Sequence, residues 1–206
     1  MASIAILGAS GHGKVLAEIA ELNGYDKVVF FDDNWPKKSQ LEHWSIVGNS
    51  QDLIQTSADF SACIVAIGDN KIRLNKLKEL SVVNAPLVSL IHPSAIISPY
   101  SSIGLGSAVM ANAVVNTAST IGQGAIINTA CSIDHDCVIS EGVHVSPGAH
   151  LAGGIRIGKL SWIGIGSSIK QGVTIGHNVI VGAGAAVVSN INNNTTVVGV
   201  PAKPYF

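Results

Sequence analysis

Two rhythms of apolar residues divide the chain. In the first stretch, the apolar run Ser3 to Leu7 ends in Gly8-Ala9-Ser10-Gly11-His12-Gly13, after which Val15, Leu16, Ile19, Ala20 and Leu22 recur at helical spacing. This predicts a strand, a glycine turn and a helix that Gly24 closes. Lys27 to Phe31 reads as a second strand with Asp32-Asp33 at its carboxyl end. Ala62 to Ile67 reads as a third, stopped by Gly68-Asp69-Asn70 before a helix carrying Ile72, Leu77 and Leu80. Strands alternating with helices imply a small parallel α/β sheet.

The second rhythm has a period of six. Every sixth residue from Ile91 through Ile97, Ile103 and Val109 to Val187 is Ile, Val or Leu, seventeen positions without an interruption, and the period ends at Asn193. Fixed-period self-similarity indicates a solenoid. Small or polar residues follow many of these aliphatics, as at Gly104, Gly122, Gly158 and Gly164, which suits tight corners. Three six-residue faces make an 18-residue coil, so residues at i and i+18 should stack at the strand spacing of about 4.8 Å.

Composition sharpens the division. Only 7 of the 25 Asp, Glu, Lys and Arg residues lie beyond residue 90, so we expect two domains, 1–90 and 91–206. A net charge of -1 with no basic block gives no footprint for nucleic acid or an anionic membrane. Every apolar run is broken before the roughly 18 residues of a spanning helix, so no membrane insertion is expected. Met1 to Leu7 lacks a basic n-region and is not read as a signal peptide. Cys63, Cys131 and Cys137 have neither the parity nor the clustering of a disulfide framework or a zinc site, and a reducing cytoplasm fits them.

Two constellations carry candidate chemistry. The Gly-x-x-Gly-x-Gly turn between strand and helix can present backbone N–H groups to a phosphate, although it is neither the dinucleotide fingerprint nor a P-loop, and Asp32-Asp33 could accept hydrogen bonds from ribose. A ligand-free turn and a solvated loop are the plain alternatives. In the solenoid, His135 comes two residues after the inward Ile133 and should point outward, flanked by Asp134 and Asp136 and stacked below Gly153 in the column Thr117, His135, Gly153, Gln171. A base, a carboxylate to orient it and a backbone N–H for an oxyanion are what acyl transfer needs. His144 lies half a coil away on another face and could meet His135 only across a subunit interface.

The hexads, the closing Gly199-Val200-Pro201-Ala202-Lys203 and the landmarks Phe31-Asp32-Asp33, Ala66-Ile67-Gly68-Asp69-Asn70 and Ile133-Asp134-His135-Asp136-Cys137 resemble the hexapeptide-repeat nucleotide-sugar acetyltransferases. Within these the chain is similar to the bacterial UDP-4-amino-sugar N-acetyltransferases and the sialic acid O-acetyltransferases. The resemblance implies a Rossmann-like small parallel sheet followed by a left-handed parallel β-helix, a homotrimer, and acetyl-CoA as co-substrate without a metal. It implies His135 as general base, with Asp136 standing where the family usually has Glu, and Gly153 beside it. Ser10, Gly11, His12, Asp32, Asp33 and Gly68 would hold the UDP-amino sugar, and His144, Ile165 and Ala183 the acetyl-CoA arm. Ala183 replaces a family glycine. Three other functions compete with N-acetylation: O-acetylation of a sugar or sialic acid, a zinc carbonic anhydrase using His135, His144 and His150, and a non-catalytic sugar-nucleotide sensor.

Overall fold

In the computed structural model, which describes residues 1–205, the chain forms two compact units, Met1–Pro93 and Ser94 onward. The first is built on the predicted alternation: β1 (Ser3–Leu7), α1 (Gly11–Leu22), β2 (Lys27–Phe31), β3 (Gln40–Leu41), β4 (Trp44–Gly48), α2 (Ser50–Thr56), β5 (Ala62–Val65) and α3 (Asn70–Val82). The sheet order is β3-β4-β2-β1-β5, parallel except for the β3–β4 pair. β1 and β5 are almost wholly buried, as the continuous apolar runs demand of a sheet covered on both faces.

Three details differ from the sequence reading. The third strand stops at Val65, two residues early, where its partner β1 ends, and the carbonyls of Ile67 and Gly68 beyond it accept from Arg73 Nη1 of α3 at 2.9 and 3.0 Å. β3 and β4 are a hairpin that the reading lacked, although Trp44, Ile46 and Gly48 alternate with exposed positions. α2 also went unread; Asn49 caps it, accepting from the N–H groups of Gln51 and Asp52 in a capping box.

The second unit is a parallel β-helix of two-residue strands. One face stacks Ile96–Ile97, Val114–Val115, Ser132–Ile133, His150–Leu151, Ser168–Ile169 and Ala186–Val187, each in register eighteen residues apart. A second runs from Ser102–Ile103 to Thr174–Ile175. The third includes Ala108–Val109, Ile126–Ile127, His144–Val145, Trp162–Ile163 and Ile180–Val181, and continues through Thr196–Val198 to the antiparallel Lys203–Pro204. The repeated aliphatics from Val109 to Val187 all point inward and are buried. At the Gly122 corner a Cβ would lie 2.6 Å from the carbonyl carbon of Ser140 in the next coil, which explains the small residue there.

The final coil is shorter. Ile175 bridges Ile191, and Val181 pairs with Val197, both sixteen residues apart. Ile191 therefore takes the strand position that counting by six from Val187 assigns to Asn193. Side-chain carbonyls fill the shortened turn: Asn190 accepts from Thr174 N–H at 2.8 Å and Asn193 from His177 N–H at 2.9 Å.

Because the inward column is close-packed, truncating Ile139 to Ala should destabilise the chain by about 2–5 kcal/mol, measured by denaturant unfolding. A change below about 0.5 kcal/mol would mean that the column does not form the core.

Candidate active site

His135 stands on an unusual corner. The residues that follow the inward aliphatics of the Ser132–Ile133 face are Ser98, Asn116, Asp134, Ala152, Lys170 and Val188, with no glycine among them. Asn116 Nδ2 donates to Asp134 Oδ1 at 3.0 Å, and the same oxygen accepts His135 N–H at 2.8 Å. The buried Ser119 holds the corner from the coil before, its Oγ donating to the Asp134 carbonyl at 2.7 Å and accepting Cys137 N–H at 3.0 Å. The backbone of residues 134–137 is thus fixed at both ends while the imidazole stays open to solvent.

Asp136 occupies a left-handed corner with φ of 59°, a conformation that Asp tolerates better than most residues. Its carboxylate Oδ2 lies 2.7 Å from His135 Nδ1. A carboxylate can only accept, so Nδ1 carries the proton and the neutral ring keeps its lone pair on Nε2. The Asp136 hydrogen bond, reinforced by the charge of Asp134, raises the His135 pKa above its usual 6.5. The backbone N–H of His135 and the Asn116 amide hold Asp134 below the usual carboxylate range, so it stays ionised beside the ring.

Gly153 lies directly against the imidazole. A Cβ there would come within 2.6 Å of both His135 Nε2 and Cε1, so the ring occupies the space a side chain would take. The resulting cleft, about 470 Å³, is lined by His135, both aspartates, Gly153, Gly154 and Gln171 among others. His135, Asp136 and Gly153 are therefore brought together as the stacking rule predicts.

A second cavity of about 510 Å³ lies on another face and gathers His144, Ile165 and Ala183. Trp162, one coil above His144, stacks on its ring with centroids 5.0 Å apart and planes at 21°. Trp162 Nε1 donates to Ser146 Oγ at 2.7 Å, and Asn128 Nδ2 lies 3.0 Å from His144 Nε2. Trp162 is absent from the sequence-derived site, although the i+18 rule applied to His144 leads straight to it. His150 pairs instead with Ser132 on the first face, its Nδ1 2.9 Å from Ser132 Oγ. Among the described residues, no three His, Cys, Asp or Glu side chains gather as metal ligands. Burial pushes the Cys63 and Cys131 thiols up to about 12, leaving them unreactive.

In the first unit, Ser10, Asp32, Asp33 and Gly68 line a cavity of about 250 Å³, joined by Asn34 and Lys76. The two aspartates are not equivalent. Asp32 Oδ2 accepts Ala9 N–H at 2.8 Å while Oδ1 accepts both the backbone and side-chain N–H of Asn34, so this residue ties the glycine turn to the end of β2. Burial raises its pKa, but those hydrogen bonds and the charge of Lys38 outweigh burial and leave it below the usual range. Asp33 makes one bond, accepting Ser50 N–H at 2.9 Å through Oδ1. Gly11 and His12 begin α1 outside the cavity lining. Burial and the Arg73 charge push the His12 pKa down to about 4, so it is neutral near pH 7.

Comparison with known proteins accounts for both units. Residues 3–80 match the PglD N-terminal domain family. The acetyltransferase domain of PglB from Neisseria gonorrhoeae FA1090, solved in complex with acetyl coenzyme A, is 43% identical, with a TM-score of 0.94 over 98% of each chain. PerB from Caulobacter crescentus, solved in complex with CoA and GDP-perosamine, is 36% identical, with a TM-score of 0.95 over 100% of this chain and 98% of that one. The UDP-N-acetylbacillosamine N-acetyltransferase of Bacillus subtilis (strain 168) is 33% identical over 54% of this chain, and the match spans only about half, 52%, of that protein. With a likeness at this identity running through both units, the chain belongs to the PglD-type nucleotide-sugar acetyltransferases.

Proposed function

We propose that this chain transfers the acetyl group of acetyl-CoA to the amine of a nucleotide-linked amino sugar, a UDP-4-amino sugar in the first instance, with His135 as general base. The observation that carries the reading is the 2.7 Å Asp136–His135 contact, which leaves Nε2 as the proton acceptor at the mouth of the cleft. As the sugar nitrogen attacks the thioester carbonyl, Nε2 takes its proton and the carboxylate of Asp136 stabilises the imidazolium that forms. Gly153 has two roles in this reading: it makes room for the ring, and its N–H is a donor for the developing oxyanion. The proton then leaves His135 for the departing thiolate or for solvent. Acetylation of nitrogen rather than oxygen is supported by the N-acetyltransferase names of the relatives.

The apolar face of His144, Trp162, Ile165 and Ala183 suits a pantetheine arm. It lies on a different face from His135, which supports a homotrimer in which one copy's cleft meets the next copy's thioester face. The first unit would hold the nucleotide. No helix among the described residues is long and apolar enough to cross a membrane, and dependence on acetyl-CoA favours the cytoplasm as the site of reaction.

Thiol release from acetyl-CoA, followed for UDP- and GDP-linked 4-amino sugars and for CMP-sialic acid with the product located by NMR, should give an amide on the amino sugar. Acetylation of hydroxyls alone would replace this reading with the O-acetyltransferase one. His135→Ala should lower kcat by about 10²- to 10⁴-fold without loss of acetyl-CoA binding. Gly153→Ala, by displacing the ring, should cost at least about tenfold in kcat, with the acetyl-CoA KM little changed.

The pH dependence has a definite sign. Only neutral His135 can act as a base, so activity should rise with pH through an apparent pKa above 6.5. Asp136→Asn fits the same left-handed corner but replaces the carboxylate hydrogen bond that raises the pKa with a weaker bond to a neutral amide. It should move the acidic limb to lower pH while lowering the plateau, and an unmoved limb would show that Asp136 does not tune the base.

A further inference from the structure

Three corners of the β-helix are held from inside by a serine. Ser107, Ser119 and Ser161 are buried, and each hydroxyl donates to the carbonyl fifteen residues on, that of Gly122, Asp134 and Gly176, at 3.1, 2.7 and 2.8 Å. Each also accepts the N–H eighteen residues on. Cys137 stands in the same register with a thiol in place of the hydroxyl. It is wholly buried, and its Sγ donates to the Ala152 carbonyl, again fifteen residues on, at 3.3 Å. Burial holds this thiol above its ordinary pKa, so near pH 7 it keeps the proton that it donates. The Ala152 carbonyl belongs to the same peptide unit as the Gly153 N–H, and a trans peptide points the two in opposite directions. With the carbonyl turned inward to the thiol, the N–H is turned out of the prism, on the side of the cleft that Gly153 lines. Among the described residues this N–H has no hydrogen-bond partner. The next N–H, of Gly154, bonds to the His135 carbonyl at 2.8 Å and ties this peptide to the corner that carries the base.

We infer that Cys137 is a positioning residue for the oxyanion donor: its thiol fixes the Ala152–Gly153 peptide so that the Gly153 N–H faces the thioester oxygen as negative charge develops there. The inference rests on the reading of Gly153 as that donor. It divides the work of two buried side chains one coil apart, with Ser119 holding the corner of the base and Cys137 holding the peptide of the donor. An oxyanion donor acts only when it is aimed at the transition state, so loss of the thiol's bond lowers kcat and leaves ground-state binding in place.

The test compares Cys137→Ser, which keeps a donor, with Cys137→Val, which keeps the apolar bulk and loses the donor. Val143, Val173 and Val179 are buried in the same register, so the prism accommodates that side chain. In acetyl transfer to a nucleotide-linked amino sugar, Cys137→Ser should retain kcat within about threefold and Cys137→Val should lose at least about tenfold. Both KM values and the acidic limb of the pH profile should stay in place, because the His135–Asp136 pair is untouched. A cysteine that merely filled space would give the reverse order, with Val tolerated and the buried hydroxyl not. The ¹⁵N resonance of Gly153 reads the bond itself, since an amide nitrogen responds to hydrogen bonding at the carbonyl of its own peptide. It should shift in Cys137→Val and shift less in Cys137→Ser. If Cys137→Val does not fold, Cys137→Ala removes the same donor and takes its place. A Gly153 resonance unmoved by loss of the donor, or a kcat that falls equally in the Ser and Val variants, would overturn the inference. A moved resonance with kcat unchanged would show instead that the Gly153 N–H is not the oxyanion donor, and the inference would fall with that reading.

Discussion

The stacking of one coil on the next, eighteen residues apart, is the constraint on which the β-helical unit depends. Each two-residue strand is too short to be stable alone, so its position is fixed by backbone bonds to the coils above and below, such as Asp134 N–H to the Leu151 carbonyl at 3.0 Å and Gly154 N–H to the His135 carbonyl at 2.8 Å. This lattice lets a solvent-exposed histidine be held without being buried. The site can keep a hydrated, protonatable ring because its backbone is ordered from inside the prism, by aliphatics at one end and Ser119 at the other.

From that constraint the electrostatics follow. Exposure leaves the imidazole free of a large desolvation penalty, so the adjacent carboxylates can raise its pKa. Deep burial near a cation has the opposite effect on His12. Two histidines of one chain are thus driven in opposite directions. The left-handed corner at residue 136 lets the short Asp side chain turn back onto the neighbouring ring.

Much of this was legible in the sequence, for identifiable reasons. A period of six with no insertion specifies the solenoid, and arithmetic in steps of eighteen brings Gly153 onto His135. The same arithmetic fails in the last coil, where side-chain carbonyls of Asn190 and Asn193 allow a two-residue deletion inside an asparagine-rich stretch that marks the end of the period but not the shift in register. Trp162 carries no signal of its own because an outward aromatic follows no hexad rule, and only stacking on His144 eighteen residues earlier places it in the site. In the first unit β1, β2 and β5 are visible as continuous apolar runs. β3 has only two residues and β4 alternates buried with exposed positions, so neither forms a continuous apolar run, and the different duties of Asp32 and Asp33 depend on contacts with residues 9, 34 and 50 that no local pattern encodes.

The central claim is that Asp136 holds His135 as an Nδ1-protonated base of raised pKa, and imidazole nitrogen NMR measures this directly. Titrating ¹⁵N-labelled protein, with His135 assigned by its loss in His135→Ala, should show the neutral ring carrying its proton on Nδ1 and a midpoint above 6.5 that falls in Asp136→Asn. A neutral ring protonated on Nε2, or a midpoint that Asp136→Asn leaves in place, would contradict the account.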